Sequence, residues 1–368
     1  MNSKKDRTII IFSEISWNFL RQRHHFFTEH FMKEYRKVIF VERVVSRIPN
    51  FSEIIRIIFN RKKENMSNKR LENVVYVRSL FLPNENIFFR IWNKFYWMIF
   101  WRNKQTCADI YAFTDNPYVV GNTIKIKQIA NRFIFDVIHN WWNFPWKKEV
   151  HKKNVERQIY LCDTVVTDSH ETYQLIKKKR KKIIPPGVSE DWISNQDIKA
   201  KTQNKNIKLI FFGSLRANSD IEFIKKIIKE KKLDFSIFGR IDQSISDKEI
   251  VSCYKGSVDN KDLPKLITNY DGIVISYDKN LFSTSISPAK FYESLATGKP
   301  IFSRNNLEHL DGWSKFVYQV SLEDNMFENI TQKVKNHENL VSDQISFAKN
   351  NLWSNRFLEL KKILDDRS

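Results

Sequence analysis

The chain has 368 residues, of which 42% are hydrophobic and 14% aromatic, with only eight glycines and nine prolines. This length suits two domains of about 150 to 190 residues, and the composition excludes a disordered or linker-rich protein. The formal net charge is +20; residues 1–188 hold 35 Lys and Arg against 17 Asp and Glu, which leaves +18 in the first half and +2 in the second. We expect the first half to face an anionic surface or partner.

The number of cysteines and the length of the apolar segments indicate the cellular compartment of the protein. Cys107, Cys162 and Cys253 are odd in number and far apart in the chain, so neither a disulfide framework nor a zinc site is predicted. A strand predicted at 8–12 leaves no room before it for a signal peptide. The longest apolar run, 95–101, has seven residues, whereas about 20 are needed to cross a bilayer. We therefore expect a cytoplasmic protein without a membrane-spanning helix.

The chain opens with a predicted strand–helix–strand unit. The apolar run 8–12 is typical of a central parallel strand; a helix is predicted to end near Lys33, and a second strand follows at 38–42. The first loop has no glycine, which argues against a dinucleotide enzyme. The polar and aromatic residues after the first strand are candidate ligands at a cleft, where a solvated helix start is the alternative: Glu14, Trp17, Arg21, Arg23 and His24.

An aromatic segment follows at 88–101, with three tryptophans and four phenylalanines among few polar residues. As a helix it has a wide apolar face with cations at the edges. Two interpretations stay open: a buried core helix, or an interfacial helix whose aromatics reach lipid headgroups. We expect an anionic membrane surface to contact residues 84–105, together with the six-cation run 177–182, for which a solvated surface is the alternative.

The predicted strand 132–139 ends in Asp136 and His139. Because the carboxyl ends of parallel strands are where ligands gather, both are candidate catalytic or substrate-contact residues. For a single histidine at a strand end, a structural role is the alternative.

The second half alternates strands and helices again. Strands are predicted at 208–212, 235–238 and 272–276, with helices at 220–230 and 263–268 between them, and this order favours a parallel sheet with right-handed crossovers. A short strand and turn are predicted at 254–258. The candidate ligand residues of the exit loops and the turn are Gly213, Arg216, Gly239, Arg240 and Val258.

The stretch 283–302 organises the second half. Ser287 is predicted to cap a helix, with Pro288 at its first position, Gly298 at its end and a strand after Pro300. Backbone amides at the start of this helix are free to bind an anionic oxygen, such as that of a diphosphate. Three residues apart, Lys290 and Glu293 share one face, so that the first can approach phosphate while the second accepts hydrogen bonds from a sugar diol.

The motif Ser287-Pro-Ala-Lys290-Phe-Tyr-Glu293-Ser-Leu-Ala-Thr-Gly298-Lys-Pro300 resembles that of the GT-B glycosyltransferases, particularly family 4. The resemblance implies an α/β GT-B fold of two Rossmann-like domains whose parallel sheets face a central cleft. It implies an acceptor-binding domain at 1–188, a nucleotide-sugar-binding domain at 189–345, and a C-terminal helix at 346–368 that crosses back to the first domain.

The resemblance also implies roles for individual residues. Glu293 would hold the nucleotide ribose, Arg216 and Lys290 the diphosphate, and His139 would contact the transferred sugar. The segment from Trp17 to Arg23 is similar to the Trp-x-x-x-x-Gln-Arg opening of a bacterial subgroup. Many members carry a second glutamate eight positions before Glu293, where this chain has Ser285, a departure that concerns the donor-sugar contacts.

The implied reaction is glycosyl transfer from a nucleotide-diphosphate sugar, with a UDP-sugar as the guess, to a saccharide or lipid-linked acceptor of bacterial surface polysaccharide. Retention is implied by family 4; an inverting relative needs a carboxylate base, for which Asp136 and Glu14 are the candidates. No cofactor and no metal are expected. A GT-B nucleotide-sugar epimerase is the alternative. A nucleic-acid-binding protein is disfavoured, because the second half is near neutral and has no RNA-binding signature.

Overall fold

The computed structural model describes residues 7–19, 21–44, 71, 73–102, 108–114, 116, 130–138, 140, 142, 148–194, 206–216, 219–242, 244–279, 285–305, 307, 309–323 and 325–366. The chain divides into two compact units. Unit 1 comprises residues 1–184 and 357–368, and unit 2 comprises residues 185–356.

Unit 1 alternates strands and helices along the chain. Its described strands are β1 (Thr8–Phe12), β2 (Lys37–Glu42), β3 (Val74–Arg78), β4 (Ala108–Ala112), β5 (Ala130–Val137), β6 (Thr164–Thr167) and β7 (Lys181–Ile183). Its described helices before the unit boundary are α1 (Arg23–Glu34), α2 (Ile87–Arg102), α3 (Glu149–Leu161) and α4 (His170–Leu175).

The seven strands form one parallel sheet in the order β3-β2-β1-β4-β5-β6-β7. Its central strands are buried on both faces, as the continuous apolar runs predict. Phe12, Phe100 and Phe135 lie in one apolar cluster between the sheet and its helices. The sequence also predicts a helix at 54–59, a segment that lies outside the described residues.

Unit 2 is built in the same way from its own residues. Its described strands are β8 (Ile207–Leu215), β9 (Leu233–Ile241), β10 (Gly272–Val274), β11 (Ile301–Ser303) and β12 (Val317–Gln319). Its described helices are α5 (Glu190–Ser194), α6 (Ile221–Lys229), α7 (Lys248–Ser252), α8 (Leu263–Ile267), α9 (Ala289–Ala296), α10 (Trp313–Phe316), α11 (Met326–Lys335) and α12 (Glu338–Asn350), and the final helix α13 (Trp353–Asp365) begins here.

The second sheet is also parallel, in the order β12-β11-β10-β8-β9. The strand order reverses between β8 and β10, because β9 follows β8 on one side and β10 lies on the other. Ligands of open parallel sheets bind outside the carboxyl ends of the strands at such a reversal. The exit of β8 and the segment after β10 therefore define where a ligand of unit 2 is expected.

The end of the chain differs in detail from the prediction of one helix at 346–368. Asn351 ends α12, and α13 starts at Trp353. From Phe357 onward α13 belongs to unit 1, where the Phe357 ring packs against Phe27, Phe31 and His30.

Candidate functional site

The helix α9 starts one residue later than predicted. Pro288, not Ser287, is its N-cap, with extended backbone (φ −76°, ψ 124°) and without a side-chain cap hydrogen bond. The prediction that Ser287 caps the helix is therefore wrong: the ring fixes φ of Pro288 and takes the chain into the helix directly. The buried Ser287 Oγ has no hydrogen-bond partner among the described residues, so a polar atom beside the first turn is available to a ligand.

The end of α9 agrees with the sequence. Gly298 follows the last turn in the left-handed region (φ +64°), which glycine adopts at little cost. The chain then enters β11, paired with β10 and β12. The helix is thus held between two core strands, and its buried side, which includes Phe291 and Leu295, packs into the core of unit 2.

Two glycines lie side by side where β8 and β9 leave the sheet. Gly213 pairs with Gly239 in the ladder, and both have positive φ, +102° and +131°. A Cβ added at Gly239 would lie 1.9 Å from the Gly213 carbonyl oxygen, and one added at Gly213 would lie 3.4 Å from Lys290 Nζ. The missing side chains let the strands approach and leave space for the ammonium of Lys290.

Lys290 projects from the first turn of α9 over aromatic rings. Its Nζ lies 4.2 Å from the ring centre of Phe211 and 5.3 Å from that of Tyr277, within the range of cation–π attraction. Burial lowers the pKa of Lys290 to about 8, Glu293 counteracts this effect, and the positive charge of Arg216 adds to it. A buried lysine that lies near a second positive charge is typical of a site that binds an anion.

Glu293 is one turn further along the same face. Burial raises the pKa of its carboxyl, while a hydrogen bond from Asn260 and the charge of Lys290 lower it. Asn260 Nδ2 donates to Glu293 Oε1 at 2.9 Å, and Trp192 Nε1 donates to Asn260 Oδ1 at 3.0 Å. The sequence analysis did not identify Asn260 or Trp192, because only the fold brings them to Glu293.

Arg216 lies in the loop directly after β8, as predicted, with an exposed side chain. Its backbone is held in a tight turn: Ser219 N–H donates to the Arg216 carbonyl at 2.9 Å, and Arg216 N–H donates to Ser219 Oγ at 3.1 Å. Burial raises the pKa of Tyr277, and the charge of Arg216 counteracts this effect; the same charge adds to the lowering of the Lys290 pKa by burial. The structure therefore brings Arg216, Lys290 and Glu293 together near the strand-order reversal of unit 2.

The segment predicted as a strand at 254–258 forms only one bridge, between Tyr254 and Ile237, so that prediction is wrong. Backbone hydrogen bonds still join this segment to β9, from Lys255 N–H to the Ile237 carbonyl at 2.9 Å and from Gly239 N–H to the Gly256 carbonyl at 2.8 Å. Tyr254 Oη and Ser257 Oγ also donate to the Gly239 carbonyl, at 2.9 and 2.7 Å. Val258 packs at the edge of the core and Arg240 is exposed. Binding of a nucleotide base by Gly239, Arg240 and Val258 stays a prediction.

In unit 1, the candidate Asp136 lies in a buried polar cluster. Arg23 Nε donates to Asp136 Oδ2 at 2.7 Å, and Tyr111 Oη donates to the same oxygen. Arg23 Nη1 also donates to the Ile184 carbonyl at 2.8 Å. Burial raises the pKa of Asp136, and Arg23 counteracts the effect. Asp136 Oδ1 has no partner among the described residues. A catalytic role for Asp136 stays a prediction.

Most of the other residues predicted to line a cleft have side chains that are buried in unit 1 or paired there. Trp17 is buried, with its ring against His25, Phe40 and Tyr76. His24 is buried beside the Phe113 ring. Arg21 pairs with Glu29.

Glu14, by contrast, is partly exposed. His139 lies outside the described residues. Packing thus accounts for the burial of Trp17 and His24, and acceptor binding by these residues stays a prediction.

The helix α2 has apolar residues on two faces. One face packs into the core of unit 1 through Trp97, Phe100 and Trp101. The opposite face is exposed, with Phe88 77% and Phe95 52% accessible. The other exposed large apolar residues of this face are Ile87, Ile91, Trp92, Met98 and Ile99. No described helix is long and apolar enough to cross a membrane.

Part of the basic run 177–182 is a strand that the sequence analysis missed. Lys181 and Lys182 belong to β7, at the edge of the sheet of unit 1. Lys181 Nζ donates to the carbonyls of Tyr173 and Ile176 at 2.8 and 2.7 Å. Charges on an edge strand oppose pairing with another chain, which gives these lysines a structural purpose besides any binding of anions.

Comparisons with known proteins agree with this architecture. No protein-family model matches the chain, and no curated protein matches it. Among solved structures, HepE of Anabaena in complex with UDP and glucose is 11% identical with a TM-score of 0.64, covering 99% of this chain and 100% of that one. WaaG, a glycosyltransferase of lipopolysaccharide biosynthesis, is 9% identical with a TM-score of 0.64, covering 98% and 100%.

A third similar structure is a UDP-forming α,α-trehalose-phosphate synthase from Burkholderia xenovorans. It is 9% identical with a TM-score of 0.62, covering 98% of this chain and 100% of that one. At sequence identities of 9% to 11%, the similarity to these structures shows the fold alone. Together with the two parallel α/β sheets, it shows that the chain has the GT-B fold predicted from the sequence.

Proposed function

We propose that this protein is a glycosyltransferase that moves a sugar from a nucleotide-diphosphate donor to a saccharide or lipid-linked acceptor. The observation that carries the proposal is the convergence of Arg216, Lys290 and Glu293 at the strand-order reversal of unit 2, beside the start of α9. Two cations and a carboxylate there match a ligand with a diphosphate at one end and a ribose diol at the other.

On the donor side, the amides of Ala289 and Lys290 begin α9 and carry the positive end of its dipole. Phe291 N–H already donates to the Pro288 carbonyl at 3.1 Å. A diphosphate at this position would meet those amides, the Ser287 hydroxyl and the Lys290 ammonium, with Arg216 at the rim. The ribose hydroxyls would donate to Glu293. UDP is the nucleotide proposed, since HepE structures contain UDP or UDP-glucose.

In the proposed reaction, the bond from the sugar C1 to the diphosphate oxygen breaks with oxocarbenium character. The acceptor hydroxyl oxygen bonds to C1, and the hydroxyl proton passes to the departing diphosphate. The positive groups of unit 2 stabilise the charge on the departing diphosphate. We propose retention and metal independence, as the family 4 resemblance implies. For an inverting reaction, Asp136 and Glu14 are the proposed bases; Arg23 and Tyr111 bind Oδ2 of Asp136, and its Oδ1 would be the oxygen that accepts the proton.

On the acceptor side, we propose that the protein works at the inner face of a membrane in bacterial surface polysaccharide synthesis. The exposed apolar face of α2 supports this, together with the +18 charge of residues 1–188. An apolar face with nearby cations suits an anionic bilayer surface, where aromatics enter the headgroup region.

The donor proposal is tested by calorimetric titration with UDP, ADP and GDP. We expect the wild type to bind one of them, and Glu293→Gln to bind it about tenfold or more weakly. The reason is that Asn260 Nδ2 faces the one oxygen that the amide keeps, and an NH₂ group replaces the acceptor left for the diol. Glu249→Gln, on the exposed surface of α7, is the matched control and should bind as the wild type does. Equal affinities for wild type and Glu293→Gln would contradict the ribose assignment, and no binding by the wild type would contradict the function.

The membrane proposal is tested by sedimentation with vesicles of phosphatidylglycerol and phosphatidylcholine. The double variant Phe88→Ser, Phe95→Ser should lose at least tenfold in partitioning, because each ring contributes about 1.5–3 kcal/mol when buried. The control is Val251→Ser, Leu358→Ser, which removes two apolar side chains of similar exposure, 49% and 54%, outside α2. Partitioning that is equal in both variants, or absent from the wild type, would contradict the assignment of α2.

A further inference from the structure

The carboxylate proposed to hold the ribose is itself held by a chain of two hydrogen bonds that begins in another helix. Asn260 Nδ2 donates to Glu293 Oε1 at 2.9 Å, and Trp192 Nε1 donates to Asn260 Oδ1 at 3.0 Å. Trp192 is in α5, Asn260 precedes α8, and Glu293 is in α9. Three separate elements of unit 2 thus meet at one carboxylate.

The indole decides which way the amide of Asn260 faces. An asparagine amide can present either its oxygen or its NH₂ group to a neighbour, whereas an indole N–H can only donate. Because Trp192 Nε1 faces the amide oxygen, the NH₂ group must face Glu293. In the flipped orientation the amide oxygen would face the carboxylate and repel it.

Trp192 is itself fixed by packing. Its side chain is 1% exposed and lies in the core of unit 2, with its ring centre 5.7 Å from that of Phe212 in β8. The rigid core therefore sets the position of the indole N–H, and the N–H sets the amide. With Oε1 occupied by Asn260, Oε2 is the oxygen of Glu293 left for a ligand from the opposite side.

We propose that Trp192 and Asn260 are positioning residues for nucleotide recognition, which orient Glu293 so that its carboxylate selects ligands carrying a ribose diol. This inference rests on the proposed function. It assigns the discrimination between ribose and deoxyribose to a pair of side chains that do not touch the ligand.

The test compares UDP with its 2′,3′-dideoxy analogue by calorimetric titration. The wild type should bind UDP about tenfold more tightly than the analogue, which cannot donate to Glu293. Trp192→Phe keeps an aromatic ring in the core and removes the indole N–H donor, and Asn260→Ala removes the amide. Both variants should lose most of this preference. A structural defect in the pocket would weaken both ligands alike and leave their ratio unchanged.

Two further variants complete the test. Trp313→Phe removes an indole from the same apolar core without touching Asn260, and should keep the wild-type ratio. When Trp192→Phe is added to Glu293→Gln, the preference for UDP over its dideoxy analogue should not decrease further, because both changes act through one carboxylate. If Trp192→Phe and Asn260→Ala keep the wild-type ratio of the affinities for UDP and its dideoxy analogue, the inference about positioning is overturned and the proposed function is not. Failure of the wild type to bind any nucleoside diphosphate would overturn the proposed function and with it the inference.

Discussion

Replacing Lys290 by methionine is expected to weaken nucleoside-diphosphate binding about a hundredfold and to stabilise the ligand-free protein. The affinity for the diphosphate decreases because a hydrogen bond between charged groups contributes about 1.5–3 kcal/mol. The gain follows because burial lowers the pKa of Lys290 to about 8, below its unfolded value of about 10.4. Where the pKa is lower in the folded state, the unfolded chain binds more protons, so the contribution of Lys290 to the free energy of unfolding increases as pH rises from 8 to 10.

The same pKa predicts how binding depends on pH. The phosphate is held by the ammonium form, so the affinity should be constant below pH 8 and fall as pH rises above it. The titration of the terminal phosphate, at about pH 6, lies below this range. Lys290→Arg keeps its charge throughout, and should remove the alkaline decrease even where its affinity is lower.

Both effects are measurable on the same samples. Denaturant unfolding of ligand-free wild type and Lys290→Met at pH 7 should differ by about 1 to 2 kcal/mol in favour of the variant, and titration with nucleotide from pH 6.5 to 9.5 should give the affinities. A less stable Lys290→Met, or the same alkaline decrease in wild type and Lys290→Arg, would contradict the assignment of Lys290 as an anion ligand held against desolvation.

Replacing Gly239 by alanine is expected to destabilise unit 2 by about 4 kcal/mol or more, a large part of the roughly 5–15 kcal/mol that stabilises a typical domain. The added Cβ would lie 1.9 Å from the Gly213 carbonyl oxygen, a backbone atom of the neighbouring strand. To relieve this clash, the pairing of β8 and β9 would have to open at Gly213, which is next to the Lys290 side chain.

Gly256→Ala separates the steric effect from the cost of positive φ. Gly256 also has positive φ, +97°, but a Cβ there has no atom within 4 Å. We expect it to lose about 1 to 2 kcal/mol and to fold. Thermal unfolding of the two variants should therefore give a large difference, and equal stabilities would show that the close approach of Gly213 and Gly239 is not maintained in solution.

The parts of the site that the sequence predicted are those with local signals. The proline before α9 and the glycine after it mark a helix between two strands, and the three-residue spacing of Lys290 and Glu293 places both on one face. Arg216 was found because it directly follows an apolar strand. The assignment of Ser287 as the cap failed because a serine and a proline in succession both suit the start of a helix.

The remaining parts depend on distant contacts. Asn260 is 33 residues from Glu293 and 68 from Trp192, and none of the three lies in a pattern that points to the others. The strand β7 has the composition of a solvated loop and becomes a strand through pairing with β6. For α2, the wide apolar face leaves both the core and the interfacial interpretation open in the sequence, and only the structure shows which apolar residues are exposed.

A crystal structure of the protein with UDP tests the central claim most directly. The account predicts the diphosphate at the first turn of α9, within hydrogen-bond distance of backbone amides and Lys290 Nζ, and the ribose hydroxyls on Glu293. UDP bound elsewhere in the chain, or an α9 terminus that stays empty at saturating UDP, would contradict it.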